Sequence, residues 1–103
     1  MPKKLIRDKI PEIIKNQGRN PVFYTADENE YKNELFKKLL EETNEVLEEK
    51  MNKEKLIEEL WDLLEVVEAI AKLEKIDMQE ILKIKEQKAK TNWRFEERFI
   101  LEM

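Results

Sequence analysis

Two pairs of acidic residues have the spacing that would place both side chains of a pair on one face of a helix. Glu42 and Glu45 form the first pair, and Glu59 and Asp62 form the second. Residues three apart are neighbours on a helix surface. If the two helices face each other, the four carboxylates converge and repel, and a divalent cation would relieve that repulsion. Mg²⁺ prefers an all-oxygen ligand set, and Mn²⁺ can substitute for it.

The chemistry available to the chain is narrow because the sequence contains no Cys and no His. Thiolate and imidazole sites are excluded, and so is a ferritin-like di-iron centre, which needs Glu-x-x-His pairs. Phosphoryl transfer remains open, since it needs charge neutralisation and an aligned water more than a reactive side chain. The net charge of −4 argues against a nucleic acid polymer as partner. No apolar run approaches the roughly 20 residues of a membrane span, so we expect a cytoplasmic protein without a membrane partner.

Four helices are predicted to carry these residues, within one all-α domain over residues 1–103. A Leu-, Ile-, Glu- and Lys-rich chain with a single Gly favours helix. Gly18 suits the position after the first helix, and Asp27, Asn52 and Asp77 suit the caps before the other three. A locally extended conformation is one alternative for residues 22–24. The pattern of residues 92–103 predicts neither a helix nor a strand. The helices are predicted at about 11–16, 28–50, 53–75 and 78–91.

A short connection makes the second and third helices antiparallel neighbours, with a turn near Asn52. Residues at equal height in such a hairpin have numbers with a constant sum. The residue numbers of Glu42 and Asp62 have the same sum as those of Glu45 and Glu59. Half of that sum is the position of the predicted turn, near Asn52. The register therefore predicts that the four carboxylates face one another inside an antiparallel helical bundle of about four helices.

Acidic residues also interrupt the apolar stripe of each helix. At about 100° per residue, Glu42 falls inside the apolar arc of the second helix and Glu59 inside that of the third. Burying a lone carboxylate is costly, so both residues need a partner. That partner is either a bound cation or a Lys from another helix, and the second alternative describes a purely structural helical protein.

The same residues carry a resemblance to a known family. Residues 41–45 read E-E-x-x-E and residues 59–62 read E-x-x-D, which resembles the signature of the all-α NTP pyrophosphatase (MazG-like) superfamily. The segment 4–11, KLIRDKIP, is similar to a subgroup described as phosphoribosyl-ATP pyrophosphohydrolase-like. The resemblance covers nearly the whole chain.

The resemblance implies magnesium-dependent hydrolysis of a nucleoside triphosphate between its α and β phosphates, giving a monophosphate and pyrophosphate in a house-cleaning role. It implies that Glu41 either supports the metal ligands from behind or acts as a catalytic residue that helps to orient the attacking water. It also implies a homodimer or homotetramer, which the large apolar helix surface favours as well. The metal ligands that it implies are Glu42, Glu45, Glu59 and Asp62.

Basic residues on both sides of the acidic middle are candidates to bind the phosphates. Residues 41–80 carry 14 acidic and 5 basic side chains, whereas both flanking segments are net basic. The subgroup often has a Gly-rich turn after its last helix, but residues 91–95 here contain no Gly. Trp93 in that stretch is open to core packing, a subunit interface or stacking on a base. The candidate substrate-binding residues are Arg7, Lys9, Lys85, Lys88 and Arg94.

Two other functions stay open beside the hydrolase. One is a module that binds metal or nucleotide without turnover, and the other is a helical interaction module. Calorimetric titration with magnesium and a non-hydrolysable triphosphate separates the interaction module from the other two. Pyrophosphate release from a panel of triphosphates separates the hydrolase from the binding module.

Overall fold

The computed structural model describes residues 3–91 and 93–103, which form four α-helices and no strand. The predicted all-α class and the number of helices are therefore confirmed. No helix among these residues combines the length and hydropathy needed to cross a membrane. The helices are α1 (Ile10–Asn16), α2 (Glu28–Glu48), α3 (Lys53–Leu73) and α4 (Met78–Lys90).

The chain divides into two compact units, with the boundary between Ile70 and Ala71. The first unit contains α1, α2 and most of α3, and the second contains the end of α3 together with α4. The expectation of a single domain over residues 1–103 stays a prediction.

The end of α1 uses the one glycine of the chain. Gly18 has a φ of 77°, which a residue without Cβ adopts at little cost. Its N–H donates to the carbonyl of Lys15 at 3.0 Å, and the N–H of Arg19 donates to that of Ile14 at 3.3 Å. This pair of bonds is a Schellman motif, so the predicted role of Gly18 is confirmed.

The side chains predicted to cap the other three helices all do so. Each accepts a hydrogen bond from a backbone N–H in the first turn, which satisfies one of the donors that a helix leaves unpaired at its start. The bonds are Glu30 N–H to Asp27 Oδ1 at 2.8 Å, Lys55 N–H to Asn52 Oδ1 at 3.2 Å, and Gln79 N–H to Asp77 Oδ1 at 2.9 Å.

Residues 19–27 connect α1 to α2 without forming a strand, and Tyr24 ties this connector to α2. The Tyr24 hydroxyl donates to Glu30 Oε2 at 2.6 Å. The acceptance of this bond by Glu30 raises the pKa of Tyr24, with burial adding to the effect. The Glu30 carboxylate therefore joins the connector to the first turn of α2.

Only residues 49–52 separate α2 from α3, so the two helices form the predicted antiparallel hairpin. Leu35 of α2 and Val66 of α3 are the buried apolar residues of the first unit, at 3% and 8% exposed. Many other large apolar side chains of the two helices remain more than two-fifths exposed. The hairpin is thus held by a thin apolar seam, and acidic residues occupy part of that seam.

The end of α3 repeats the capping geometry of α1 with a lysine in place of glycine. The N–H of Ile76 donates to the carbonyl of Ala71 at 2.8 Å, and Lys75 has a φ of 58°. The left-handed conformation costs a residue with a Cβ about 1–2 kcal/mol.

We expect Lys75→Gly to raise the free energy of unfolding by about 0.5–1 kcal/mol, because glycine adopts the left-handed conformation without strain. The greater freedom of glycine in the unfolded state offsets part of this stabilisation. Urea denaturation followed by circular dichroism at 222 nm measures the change. The matched control is Lys72→Gly in the last turn of α3, which we expect to lower stability by about 1 kcal/mol. A loss of stability in Lys75→Gly would contradict the assignment of strain.

Candidate metal centre

Four carboxylates from α2 and α3 meet in one cluster. One oxygen from each residue lies within 4.8 Å of the corresponding oxygens of the other three. The convergence predicted from the hairpin register is confirmed, whereas the role of these residues as metal ligands stays a prediction. The members of the cluster are Glu42, Glu45, Glu59 and Asp62.

The cluster combines shielded and open carboxylates. Glu42 is buried at 7% exposed, Glu59 and Asp62 are half-buried, and Glu45 is exposed. The Oε2 atoms of Glu42 and Glu59 are both shielded from solvent and have no hydrogen-bond partner. A buried acceptor without a partner is destabilising, so the site needs either a proton or a cation at these two oxygens.

The crowding of the carboxylates raises the pKa of two of them. Contact with Glu45 raises the pKa of Glu59 to about 7, and burial and the charges of Glu45, Asp62 and Glu42 act in the same direction. Burial is the largest cause of the raised pKa of Glu42, followed by its contact with Glu45. Without a cation, the cluster therefore favours keeping protons that carboxylates normally lose well below neutral pH.

The donor set fits a hard divalent cation. Mg²⁺ takes oxygen ligands at about 2.0–2.1 Å, so two ligand atoms on opposite sides of it lie about 4.1 Å apart. The spread of up to 4.8 Å among the four oxygens needs only a small inward shift to reach that separation. A cation would also give the unpartnered oxygens of Glu42 and Glu59 the partner they lack.

Two basic side chains already neutralise part of the cluster. Arg7 Nη2 donates to Asp62 Oδ1 at 2.6 Å, across 55 positions of sequence. The charge of Lys38 acts on Glu42 and lowers its pKa, against the larger effects that raise it. Arg7 alone forms an ion pair with a member of the cluster among the described residues, so most of the negative charge of the four carboxylates stays unneutralised.

The remaining candidate residues of the first unit lie at the surface. Glu41 pairs with Lys38, with Nζ and Oε2 3.2 Å apart, and its side chain is 51% exposed. Glu41 therefore lies next to the cluster in sequence but points to a different partner. Lys9 precedes α1, where its carbonyl accepts from the N–H of Ile13 at 3.0 Å, and its side chain is exposed. The structure places Arg7 at the cluster and does not place Lys9 or Glu41 among its members.

Three candidate substrate-binding residues belong to the second unit. Lys85 is exposed on α4, and the ammonium of Lys88 lies 5.5 Å from the ring centroid of Trp93. Arg94 pairs with Glu96 at 3.4 Å and approaches Glu86 at 4.0 Å. Trp93 is 72% exposed, so it does not pack in a core.

Sequence reasoning missed two residues beside the cluster. Lys38 lies four residues before Glu42, a spacing at which helix side chains meet, so its position was recoverable from the sequence. Trp61 lies under the guanidinium of Arg7, whose central carbon is 4.6 Å from the ring centroid. No local pattern links Trp61 to Arg7, because that contact depends on how the segment before α1 returns to α3.

Part of the chain is similar to a known protein. No protein-family model matches the chain. No solved structure matches it either. An uncharacterized protein of Mycolicibacterium smegmatis is 46% identical over 43 residues, which is 42% of this chain and 44% of that protein. The matched region thus spans less than half the length of the relative.

We expect the thermal stability of the metal-free protein to fall as pH rises from about 5 to 8. The pKa of Glu59 is about 7 in the folded state against an ordinary value of 4.5, so the folded state binds more protons across this window. Stability is therefore highest towards the lower end and is lost as pH passes through the folded pKa.

Circular dichroism melts in chelator at several pH values measure this slope, and excess Mg²⁺ should remove it by favouring the ionised carboxylates. The matched variant is Glu59→Gln, which cannot ionise and should flatten the slope. Equal slopes with and without Mg²⁺ would contradict the cation site.

Proposed function

We propose that this protein is a magnesium-dependent nucleoside triphosphate pyrophosphohydrolase that cleaves between the α and β phosphates. The observation that supports it most is the cluster of four carboxylates across one hairpin, with buried, unpartnered oxygens on Glu42 and Glu59. Mn²⁺ can substitute for Mg²⁺ in such an all-oxygen set. The resemblance of residues 41–45 and 59–62 to the MazG-like signature supports the same reaction, and a cytoplasmic location belongs to this proposal.

The four carboxylates would hold the cation. Glu42 and Glu59 would offer their shielded oxygens to it, and Glu45 and Asp62 would supply the other ligands. When bound, Mg²⁺ supplies charge neutralisation for the phosphates as negative charge shifts to the departing pyrophosphate. A triphosphate brings further negative charge, so a second ion could enter with the substrate.

The other residues of the first unit would act on the nucleotide and on water. Arg7 is fixed beside Asp62, where its guanidinium can bind phosphate oxygens. Glu41 would exchange its ion pair with Lys38 for the attacking water and would orient that water by accepting a hydrogen bond from it. Lys9, Lys85, Lys88 and Arg94 stay candidates for the remaining phosphate charge.

The proposed enzyme is a homodimer or homotetramer built on an exposed apolar face of the hairpin. Leu40 and Leu47 of α2 are 64% and 59% exposed, and Ile57 and Leu64 of α3 are 60% and 56% exposed. Leu40 and Leu64, like Leu47 and Ile57, have the same sum of residue numbers as the facing carboxylates, so each pair lies at one height. All four lie roughly 140–160° around their helix from its cluster residue, Glu42 on α2 or Glu59 on α3. Apolar faces of this kind mark interfaces.

We expect Glu42→Gln and Asp62→Asn to lower pyrophosphate release by about a hundredfold or more, because each removes a charge that neutralises the cation and positions it. A panel of nucleoside triphosphates with Mg²⁺ identifies the substrate, and far-ultraviolet circular dichroism verifies that helicity is retained. The matched control is Glu65→Gln, an exposed carboxylate of α3 outside the cluster, which should keep full turnover. Undiminished turnover in either cluster variant would refute the assignment.

We expect the double variant Leu40→Lys/Leu64→Lys to be monomeric, because two charges per copy would have to be buried at the interface. Sedimentation velocity compares its mass with that of the wild type, which we expect to be a dimer or tetramer. Val22→Lys serves as control, since Val22 is 96% exposed and lies outside the face. A monomeric wild type at micromolar concentration would exclude the proposed assembly.

A further inference from the structure

We propose that Trp61 is a positioning residue for Arg7, holding its guanidinium at the rim of the carboxylate cluster so that Arg7 binds a phosphate group of the nucleotide. This inference rests on the proposed hydrolase function and adds a residue that the family signature does not include. Three features of the first unit support it: the stacking of Arg7 on Trp61, the hydrogen bond from Arg7 to Asp62, and the exposure of the Arg7 side chain.

The guanidinium of Arg7 is held from two directions. Its central carbon lies 4.6 Å from the ring centroid of Trp61, within the range of a cation–π interaction. Its Nη2 donates to Asp62 Oδ1 at 2.6 Å. One contact fixes the plane of the group and the other fixes its rotation within that plane. The adjacent positions of Trp61 and Asp62 on α3 thus give one arginine a defined orientation.

This arrangement leaves most of the donors of Arg7 available. A guanidinium carries five N–H donors, and stacking on an aromatic ring uses its face while the donors point outward from its edge. Within the described residues, the bond to Asp62 is the hydrogen bond that the Arg7 side chain makes. The side chain is 47% exposed, so a ligand in solvent can reach the remaining donors. A phosphate group, with several acceptor oxygens, matches a fork of this kind.

The bond to Asp62 also places Arg7 where phosphate would arrive. Asp62 has two carboxylate oxygens, so it can accept from Arg7 with one and ligate a cation with the other. A phosphate bound to that cation would then lie beside the free edge of the guanidinium. Trp61 is 56% exposed, and its ring carries the guanidinium of Arg7 at the surface of α3.

The test measures binding of inorganic pyrophosphate in the presence of Mg²⁺ by calorimetry, on the full chain. We expect Trp61→Leu and Arg7→Ala each to weaken binding roughly tenfold, the size of a cation–π contact together with a directed charged hydrogen bond. The double variant should bind no more weakly than Arg7→Ala, because the two residues act through one contact. Trp61→Phe keeps an aromatic face and should stay within about twofold of the wild type.

Phe23→Leu is the matched control, since Phe23 is 60% exposed and belongs to the same unit, and it should leave binding unchanged. Fluorescence gives a second measurement, because Trp93→Phe leaves Trp61 as the remaining tryptophan. Magnesium pyrophosphate should change the Trp61 emission in this background, and Arg7→Ala should abolish that change. If Trp61→Leu loses helicity, Trp61→Gln takes its place in the cycle.

Independent effects of the two single variants, unchanged binding in the Trp61 variant, or no pyrophosphate binding by the wild type would each overturn the positioning role. Triphosphate turnover is measured on the same proteins and gives a separate answer. A wild type that binds pyrophosphate with the expected coupling but releases none from any triphosphate refutes the hydrolase and leaves the role of Trp61 supported.

Discussion

Mutual repulsion among four carboxylates is the constraint on which the rest of this structure depends. The hairpin of α2 and α3 brings one oxygen of each carboxylate within 4.8 Å of the others. It also shields the Oε2 atoms of Glu42 and Glu59 from water. A chain that needed only stability would fill these positions with apolar side chains, as it does at Leu35 and Val66. Contact with Glu45, burial and the neighbouring charges raise the pKa of Glu59 to about 7, because the ionised carboxylates repel one another. Raised pKa values caused by crowded charges are typical of functional sites.

The surroundings of the cluster reduce the repulsion without removing it. Arg7 returns from the segment before α1 to bond Asp62, and Lys38 acts on Glu42 from its own helix. Neither basic group bonds the shielded oxygens of Glu42 and Glu59, which have no hydrogen-bond partner. The repulsion at these two oxygens therefore stays uncompensated by the basic residues.

Much of the fold and of the cluster could be predicted from the sequence because both depend on local rules. The caps at Asp27, Asn52 and Asp77 and the glycine after α1 set the helix boundaries, and each is a short-range pattern. The register of the hairpin followed from the short link between α2 and α3. Contacts made at long range were not predictable in this way. Arg7 was predicted to bind phosphate, but its contacts with Trp61 and Asp62 were not predicted. These residues are more than fifty positions from Arg7, and no rule of sequence spacing predicts such a contact.

The short link of residues 49–52 has a consequence for how this protein can vary. The link has only four residues, so adding or removing one would disturb the register in which α3 packs against α2. One such change would carry Glu59 and Asp62 away from Glu42 and Glu45 while leaving both helices intact. Substitutions at exposed positions such as Lys50 and Met51 alter neither the height nor the rotation of α3. Homologous chains that keep the cluster should therefore differ in the composition of this link and agree in its length.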